Sequence, residues 1–85
     1  MDEKALDTTI RSVLTEHGGL ARAASQVADD DDLYQLGLSS HGTVNVMLAL
    51  EDAFSVEFPD TMMSKSTFRS VSTIRAALSE VLGER

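Results

Sequence analysis

Apolar residues recur at three- or four-residue intervals in three separate segments of this chain, which is the spacing of one face of an α-helix. In the first segment, residues 3–17, this face consists of Leu6, Ile10, Val13, Leu14 and His17. The glycine pair at residues 18 and 19 predicts the end of that helix. No segment carries a convincing strand pattern, so the sequence predicts an all-α fold.

A second helix is predicted over residues 41–54. Its predicted buried face consists of Thr43, Val46, Met47, Leu50 and Phe54. Around the helix from that face lies a partly apolar stripe, Val44, Asn45, Leu48, Ala49 and Asp52. Such a stripe is typical of a docking surface, and the alternative is that another element of the fold covers Val44 and Leu48.

The third helix is predicted to follow Ser70, which is suited to cap its N-terminus. Its apolar stripe consists of Val71, Ile74, Leu78, Val81 and Leu82. Before it, residues 61–68 predict a short helical turn. We therefore expect a single domain over residues 1–85, built as a small helical bundle.

The connection over residues 20–39 is long for a chain of 85 residues, and long ordered loops are often functional. We expect Leu33, Leu36 and Leu38 to fold back on the core and hold this loop. Its run of four aspartates invites a calcium site, but a loop beginning at Asp29 or Asp30 lacks suitable ligands at the fifth and twelfth positions. A solvated acidic turn is the better interpretation.

The composition excludes several classes of function. Fourteen acidic against seven basic residues give a net charge of −7, so nucleic acids and anionic membranes are unexpected partners. The absence of Cys removes disulfides, thiolate metal sites and a Cys nucleophile. No apolar run approaches the roughly 20 residues that cross a bilayer, and no signal peptide is visible, so we expect a cytoplasmic protein.

The two histidines do not indicate a catalytic site. His41 follows Ser40 directly, and neighbours along a helix do not face each other, so a Ser-His dyad there would have poor geometry. His17 ends a helix, where a cation interacts favourably with the helix dipole. We expect no enzymatic activity and no metal site.

The stretch DDLYQLGLSSHGTVNVMLALEDAFSVEFPD closely resembles the acyl carrier protein family. Leu36 and Gly37 match the family's leucine-glycine turn, and Ser40 falls on its modified serine. The following helix matches at Thr43, Val44, Ala49, Leu50, Glu51 and Phe54, and the segment after it at Glu57, Phe58, Pro59 and Asp60. The resemblance implies a four-helix bundle with a long first loop and a short third helix.

The resemblance also implies a carrier without turnover of its own, with 4′-phosphopantetheine from coenzyme A attached to Ser40. The thiol of this arm would hold an acyl or aminoacyl group as a thioester. The implied partners of the monomer are a phosphopantetheinyl transferase, an acyl- or amino-acid-activating ligase and a downstream acyl acceptor enzyme. The residues expected to contact these enzymes are Ser39, His41, Val44, Asn45, Leu48, Ala49 and Asp52. Additional negative charge for basic partner patches is expected from Glu51, Glu57 and the aspartate run.

Four positions near the serine depart from the family pattern. Ser39 stands where Asp is usual, His41 where Leu is usual, and Asn45 where an acid is frequent. Ser39 can replace Asp as a helix cap but cannot supply its charge. Gly42 costs helix stability, up to roughly 1 kcal/mol relative to Ala in a helix interior.

These departures favour a specialised carrier with dedicated partners. We favour an amino acid cargo loaded by a dedicated ligase. The alternatives are a fatty-acid, polyketide or modified-lipid carrier, and an unmodified helical adaptor that uses the same fold.

Overall fold

The computed structural model describes residues 3–21 and 23–83, and within these residues the chain forms three α-helices and no strand. The helices are α1 (Glu3–His17), α2 (Ser40–Phe54) and α3 (Val71–Gly83). Within the same residues no helix is long and apolar enough to span a membrane. The all-α prediction is confirmed, while residues 1, 2, 22, 84 and 85 of the predicted domain lie outside the described residues.

The helical turn predicted at residues 61–68 is present as two 3-10 turns, Asp60–Met62 and Lys65–Phe68, and not as a fourth α-helix. The hydroxyl of Ser64 lies 3.1 Å from that of Ser66 and 3.2 Å from that of Thr67. Such local side-chain bonds compete with a regular helix. Phe68 is the only residue of the two turns that is buried, which is too little burial to stabilise a short α-helix.

The predicted apolar faces of α1 and α3 form most of the core. The most deeply buried side chains of these two helices are Leu6, Ile10, Leu14, Val71, Ile74 and Leu78. Ser70 caps α3 as predicted, since its hydroxyl accepts a hydrogen bond of 3.1 Å from the Thr73 backbone N–H. His17 was predicted on the buried face but is exposed, because α1 ends at this residue and the imidazole nitrogens stay in water.

Helix α2 contributes Val46 and Leu50 to the core, both fully buried, together with the backbone at Gly42. Thr43, predicted on the buried face, is only half-buried, as are Met47 and Phe54. The centre of the buried face therefore lies on the row of residues 42, 46 and 50. A hydrophobicity pattern does not detect Gly42, because glycine has no side chain to score.

The long loop folds back on the core as predicted. Leu33 and Leu38 are buried and Leu36 is half-buried. Two backbone hydrogen bonds also fix the loop to the beginning of α3: the N–H of Leu33 donates to the carbonyl of Arg69 at 2.6 Å, and that of Ser72 donates to the carbonyl of Asp29 at 2.9 Å.

Arg11 connects α1 to the same loop, and sequence patterns did not single it out. Its Nη1 donates to the carbonyl oxygens of Ala24 and Val27, each at 2.6 Å. Its Nη2 lies 2.6 Å from Asp29 Oδ1, and its Nε lies 2.9 Å from Asp7 Oδ2. The guanidinium thus satisfies two loop carbonyls that would otherwise lack these donors.

Arg75 of α3 completes an arginine–aspartate cluster (Asp7, Arg11, Asp29 and Arg75). Its Nη1 lies 2.9 Å from Asp7 Oδ1, and its Nη2 lies 3.1 Å from Asp29 Oδ2. The hydrogen bond from Arg75 is the main cause that lowers the pKa of the Asp29 carboxyl. Slight burial opposes this effect, and the charges of both arginines and the bond from Arg11 add to it.

We expect Arg11→Met to lower the free energy of unfolding by about 2 kcal/mol, because two carbonyls and two carboxylates lose a donor while the aliphatic stem is kept. Urea unfolding followed by circular dichroism measures this loss. Arg69→Met is the matched control, since Arg69 pairs with Asp32 at 3.6 Å on the surface and such pairs contribute about 0–1 kcal/mol. Equal losses in the two variants would contradict a special role of Arg11.

The lowered pKa of Asp29 predicts a pH dependence of stability. Its ionised form stabilises the fold above the unfolded-state pKa, near 3.8, and this contribution is lost as the pH falls through the lower folded-state pKa. We therefore expect the urea midpoint of the wild type to decrease below about pH 3.8, and Asp29→Asn to show a smaller decrease. Asp30→Asn, at the exposed neighbouring position, should keep the wild-type slope. A slope unchanged by Asp29→Asn would refute the prediction.

Candidate functional site

The start of α2 is positioned by a close approach of backbones. A Cβ on Gly42 would lie 3.1 Å from the carbonyl oxygen of Gly18, at the end of α1, and 3.4 Å from Leu38 Cδ1. Gly37, just before α2, has a φ of +113°, which favours glycine. The departure at Gly42 therefore allows the two helix ends to pack together, and this packing fixes where the serine pair lies.

The two adjacent serines have different roles in this structure. Ser39 is the N-cap, and its Oγ accepts a hydrogen bond of 2.9 Å from the Gly42 N–H. Its carbonyl accepts bonds of 2.8 Å from both the N–H and the hydroxyl of Thr43. Ser40 is the first residue of α2 and is exposed, and its hydroxyl has no hydrogen-bond partner among the described residues. Ser39 is therefore occupied by the helix, whereas Ser40 presents a free hydroxyl.

His41 is exposed and makes no hydrogen bond with Ser40 in the described part of the chain. Helical rotation of about 100° per residue places it on the same face as Val44, Leu48 and Asp52. The side chains of Ser40 and His41 therefore do not have the geometry of a catalytic dyad.

The outer stripe of α2 is present, although its five residues are not equally accessible. Val44 is 50% and Leu48 53% exposed, and Asp52 is exposed as well. Asn45 and Ala49 are half-buried at the edge of the stripe. The alternative that another element covers Val44 and Leu48 does not hold within residues 3–21 and 23–83.

The predicted acidic surface is smaller than the sequence suggests. Glu51 Oε2 accepts a hydrogen bond of 2.9 Å from the N–H of Phe58, whose buried ring packs edge-on against Phe68 with centroids 5.7 Å apart. Glu51 therefore stabilises the chain after α2, while Asp52 and Glu57 are exposed.

The aspartate run shapes the loop. In addition to Asp29 in the arginine–aspartate cluster, Asp31 Oδ2 accepts from the Ala28 N–H and Asp32 Oδ1 from the Tyr34 N–H, each at 2.9 Å. Among the residues that the structure describes, no three His, Cys, Asp or Glu side chains are grouped so that they could hold a metal ion.

An open groove of about 610 Å³ lies beside Ser40, which is one of its lining residues. Its apolar lining includes Leu38, Val44, Met47, Met63 and Phe68. Tyr34 from the long loop and Lys65 from the second 3-10 turn also line it. Tyr34, Met63 and Lys65 were not predicted at this surface, because they come from irregular segments where no periodicity marks a shared surface.

Comparison with known proteins identifies a family for this chain. A family model described as a phosphopantetheine attachment site matches residues 5–74. The aminoacyl carrier protein of Agrobacterium fabrum is 38% identical over 77 residues, which cover 91% of this chain and 93% of the relative.

Two solved structures are also similar. One is the crystal structure of an engineered Bradyrhizobium japonicum glycine:[carrier protein] ligase complexed with a carrier protein from Agrobacterium tumefaciens and ATP. The similarity has a TM-score of 0.84 at 38% identity, and it covers 87% of this chain and 96% of the matched chain. The other is the Bradyrhizobium japonicum ligase complexed with glycylated carrier protein, with a TM-score of 0.74 at 29% identity, covering 86% and 97% of the two chains. The chain therefore belongs to the family of carrier proteins that contain a phosphopantetheine attachment site.

Proposed function

We propose that Ser40 is the residue of this carrier that bears 4′-phosphopantetheine, attached by a phosphopantetheinyl transferase from coenzyme A. The single observation that carries the proposal is that the two adjacent serine hydroxyls have different environments. Ser39 Oγ is held by the Gly42 N–H, whereas the Ser40 hydroxyl is exposed and has no partner in the described part of the chain. Modification at Ser40 therefore leaves the helix cap intact.

The residues around Ser40 fit the group. The N–H groups of Ser40 and His41, in the first turn of α2, donate to no acceptor among the described residues. Such N–H groups and the positive end of the helix dipole favour a phosphodiester at this position. No acidic residue stands in the first turn of α2 to repel it, and the N-cap is Ser39 in place of the usual Asp.

The arm, when bound, supplies a terminal thiol that holds cargo as a thioester. The chain itself has no Cys, so this would be the only thiol of the holo protein. Members of this family generally act as carriers and not as catalysts, and we propose no catalytic residue in this chain. Its role is to hold Ser40 accessible and to offer α2 to partner enzymes.

For the cargo we favour an amino acid that a dedicated ligase loads. This choice is supported by the similarity to an aminoacyl carrier protein and to carrier chains solved with a glycine:[carrier protein] ligase. The departures at Ser39, His41 and Asn45 point the same way, away from the general fatty-acid carriers. Polyketide or modified-lipid cargo is the second candidate.

The partner enzymes are proposed to dock on the outer stripe of α2 and the residues beside Ser40. This surface comprises Ser39, His41, Val44, Asn45, Leu48, Ala49 and Asp52. The exposure of Val44 and Leu48 supports it, because two large exposed apolar side chains on one helix face gain from being covered. The two 3-10 turns would take the place of the family's short third helix. The protein would act as a monomer in the cytoplasm.

We expect the wild type to gain the mass of phosphopantetheine when incubated with coenzyme A, Mg²⁺ and a broad-specificity transferase, and Ser40→Ala to gain nothing. Intact-protein mass spectrometry measures both. Ser39→Ala is the matched control: it should still be modified, while its lost cap lowers the free energy of unfolding by about 1 kcal/mol. An undiminished mass gain in Ser40→Ala would disprove the assignment, and an unmodified wild type would favour the helical adaptor.

The docking surface can be tested on the holo protein with Bradyrhizobium japonicum glycine:[carrier protein] ligase, ATP and glycine. We expect glycyl thioester formation, with kcat/KM reduced about tenfold in Val44→Ser or Leu48→Ser, since an apolar contact worth about 1.4 kcal/mol is lost. Ala53→Ser, at an exposed position on another side of α2, should behave as the wild type. The absence of thioester would reject glycine loading by this ligase, and equal rates in all variants would reject this face as the docking site.

A further inference from the structure

Among the residues that the structure describes, Lys65 is the only charged side chain that lines the groove beside Ser40. It lies in the second 3-10 turn, is exposed, and has no carboxylate within ion-pairing distance among the described residues. In a chain with twice as many acidic as basic residues, Lys65 thus places a positive charge beside Ser40 with no carboxylate partner in the described part of the chain. No step of the proposed function uses this charge.

The ammonium of Lys65 is held over an aromatic ring instead. Its Nζ lies 4.9 Å from the centroid of the Tyr34 ring, within the range of a cation–π contact. The hydroxyl of Tyr34 donates a hydrogen bond of 2.9 Å to the backbone carbonyl of Lys65. These two contacts join the long loop to the 3-10 turn on the groove.

We propose that Lys65 binds the phosphodiester once Ser40 is modified, and that its ammonium leaves the Tyr34 ring to do so. This inference rests on the proposed function, since it requires the modified serine. Attachment to Ser40 places one full negative charge beside the groove that Lys65 lines. A full charge attracts an ammonium more strongly than the quadrupole of a tyrosine ring does, and charge-assisted hydrogen bonds to phosphate are among the strong ones.

The flexibility of lysine makes this exchange inexpensive. Its four-carbon stem rotates freely at an exposed position, so the ammonium changes partner without movement of the backbone. The hydrogen bond from the Tyr34 hydroxyl involves only the Lys65 carbonyl and is unaffected by the exchange. The ring face that the ammonium leaves becomes part of the groove surface next to the arm.

The proposal assigns a positioning role to Lys65. The N–H groups of the first turn of α2 and the ammonium of Lys65 would together hold the phosphodiester. This contact would restrict the part of the arm next to Ser40. Sequence position alone does not suggest this pairing, because 24 residues separate Ser40 from Lys65.

The test is nuclear magnetic resonance of the apo and holo wild type, after intact mass has verified modification. In the apo protein the ε-methylene protons of Lys65 should be shifted upfield by the ring current of Tyr34, the only tyrosine of a chain without tryptophan. We expect most of this shift to be lost in the holo protein. Ser40→Ala, treated in the same way, should keep it. An upfield shift that is the same in the apo and holo wild type overturns the proposal.

A second measurement uses the phosphorus resonance of the holo protein. Lys65→Met should move this resonance relative to the wild type, and Lys65→Arg should restore most of the wild-type position. Lys4→Met, which removes one positive charge from an exposed site on α1, is the matched control and should leave the resonance unchanged. Equal resonances in Lys65→Met and Lys4→Met also overturn the proposal. A wild type that gains no mass rejects the proposed function itself, and with it this role of Lys65.

Discussion

The hydrogen bonds of the Arg11 guanidinium are the interaction on which the rest of this small structure depends. One side chain donates to the carbonyls of Ala24 and Val27 and to the carboxylates of Asp7 and Asp29, and thereby connects α1 to the long loop. Arg75 adds α3 through the same two carboxylates. A loop this long has a high conformational entropy when free, and the cluster fixes it where Leu33 and Leu38 enter the core.

The position of Ser40 follows from the fixed loop. Leu38 is buried just before α2, and Gly42 brings the first turn of α2 against the end of α1. Between these two contacts Ser39 caps the helix through the Gly42 N–H, and Ser40 is left facing solvent at a helix N-terminus. Packing of Leu38 on one side and Gly42 on the other therefore positions Ser40. Its hydroxyl is accessible because these two neighbours are the residues that are buried.

The charges of the chain are used differently from what their number suggests. Of fourteen acidic residues, Asp7 and Asp29 form the cluster, Asp31 and Asp32 accept hydrogen bonds within the loop, and Glu51 holds the N–H of Phe58. α2 carries no acid in its first turn, and the large exposed side chains on its outer face are Val44 and Leu48. A partner would meet an apolar surface with a few flanking charges, and lysine and histidine beside the serine.

The sequence by itself determined the three helices, both serine caps and the apolar faces of α1 and α3, because helical periodicity and capping depend on residues a few positions apart. It also indicated the family through the match from about Leu33 to Asp60. Only the tertiary structure decided that Gly42 is a contact and not merely a cost, that Arg11 holds the loop, and that Tyr34 and Lys65 meet beside Ser40. These features join residues from separate elements, and their geometry is set by how the helices pack. A one-dimensional pattern carries no record of that packing.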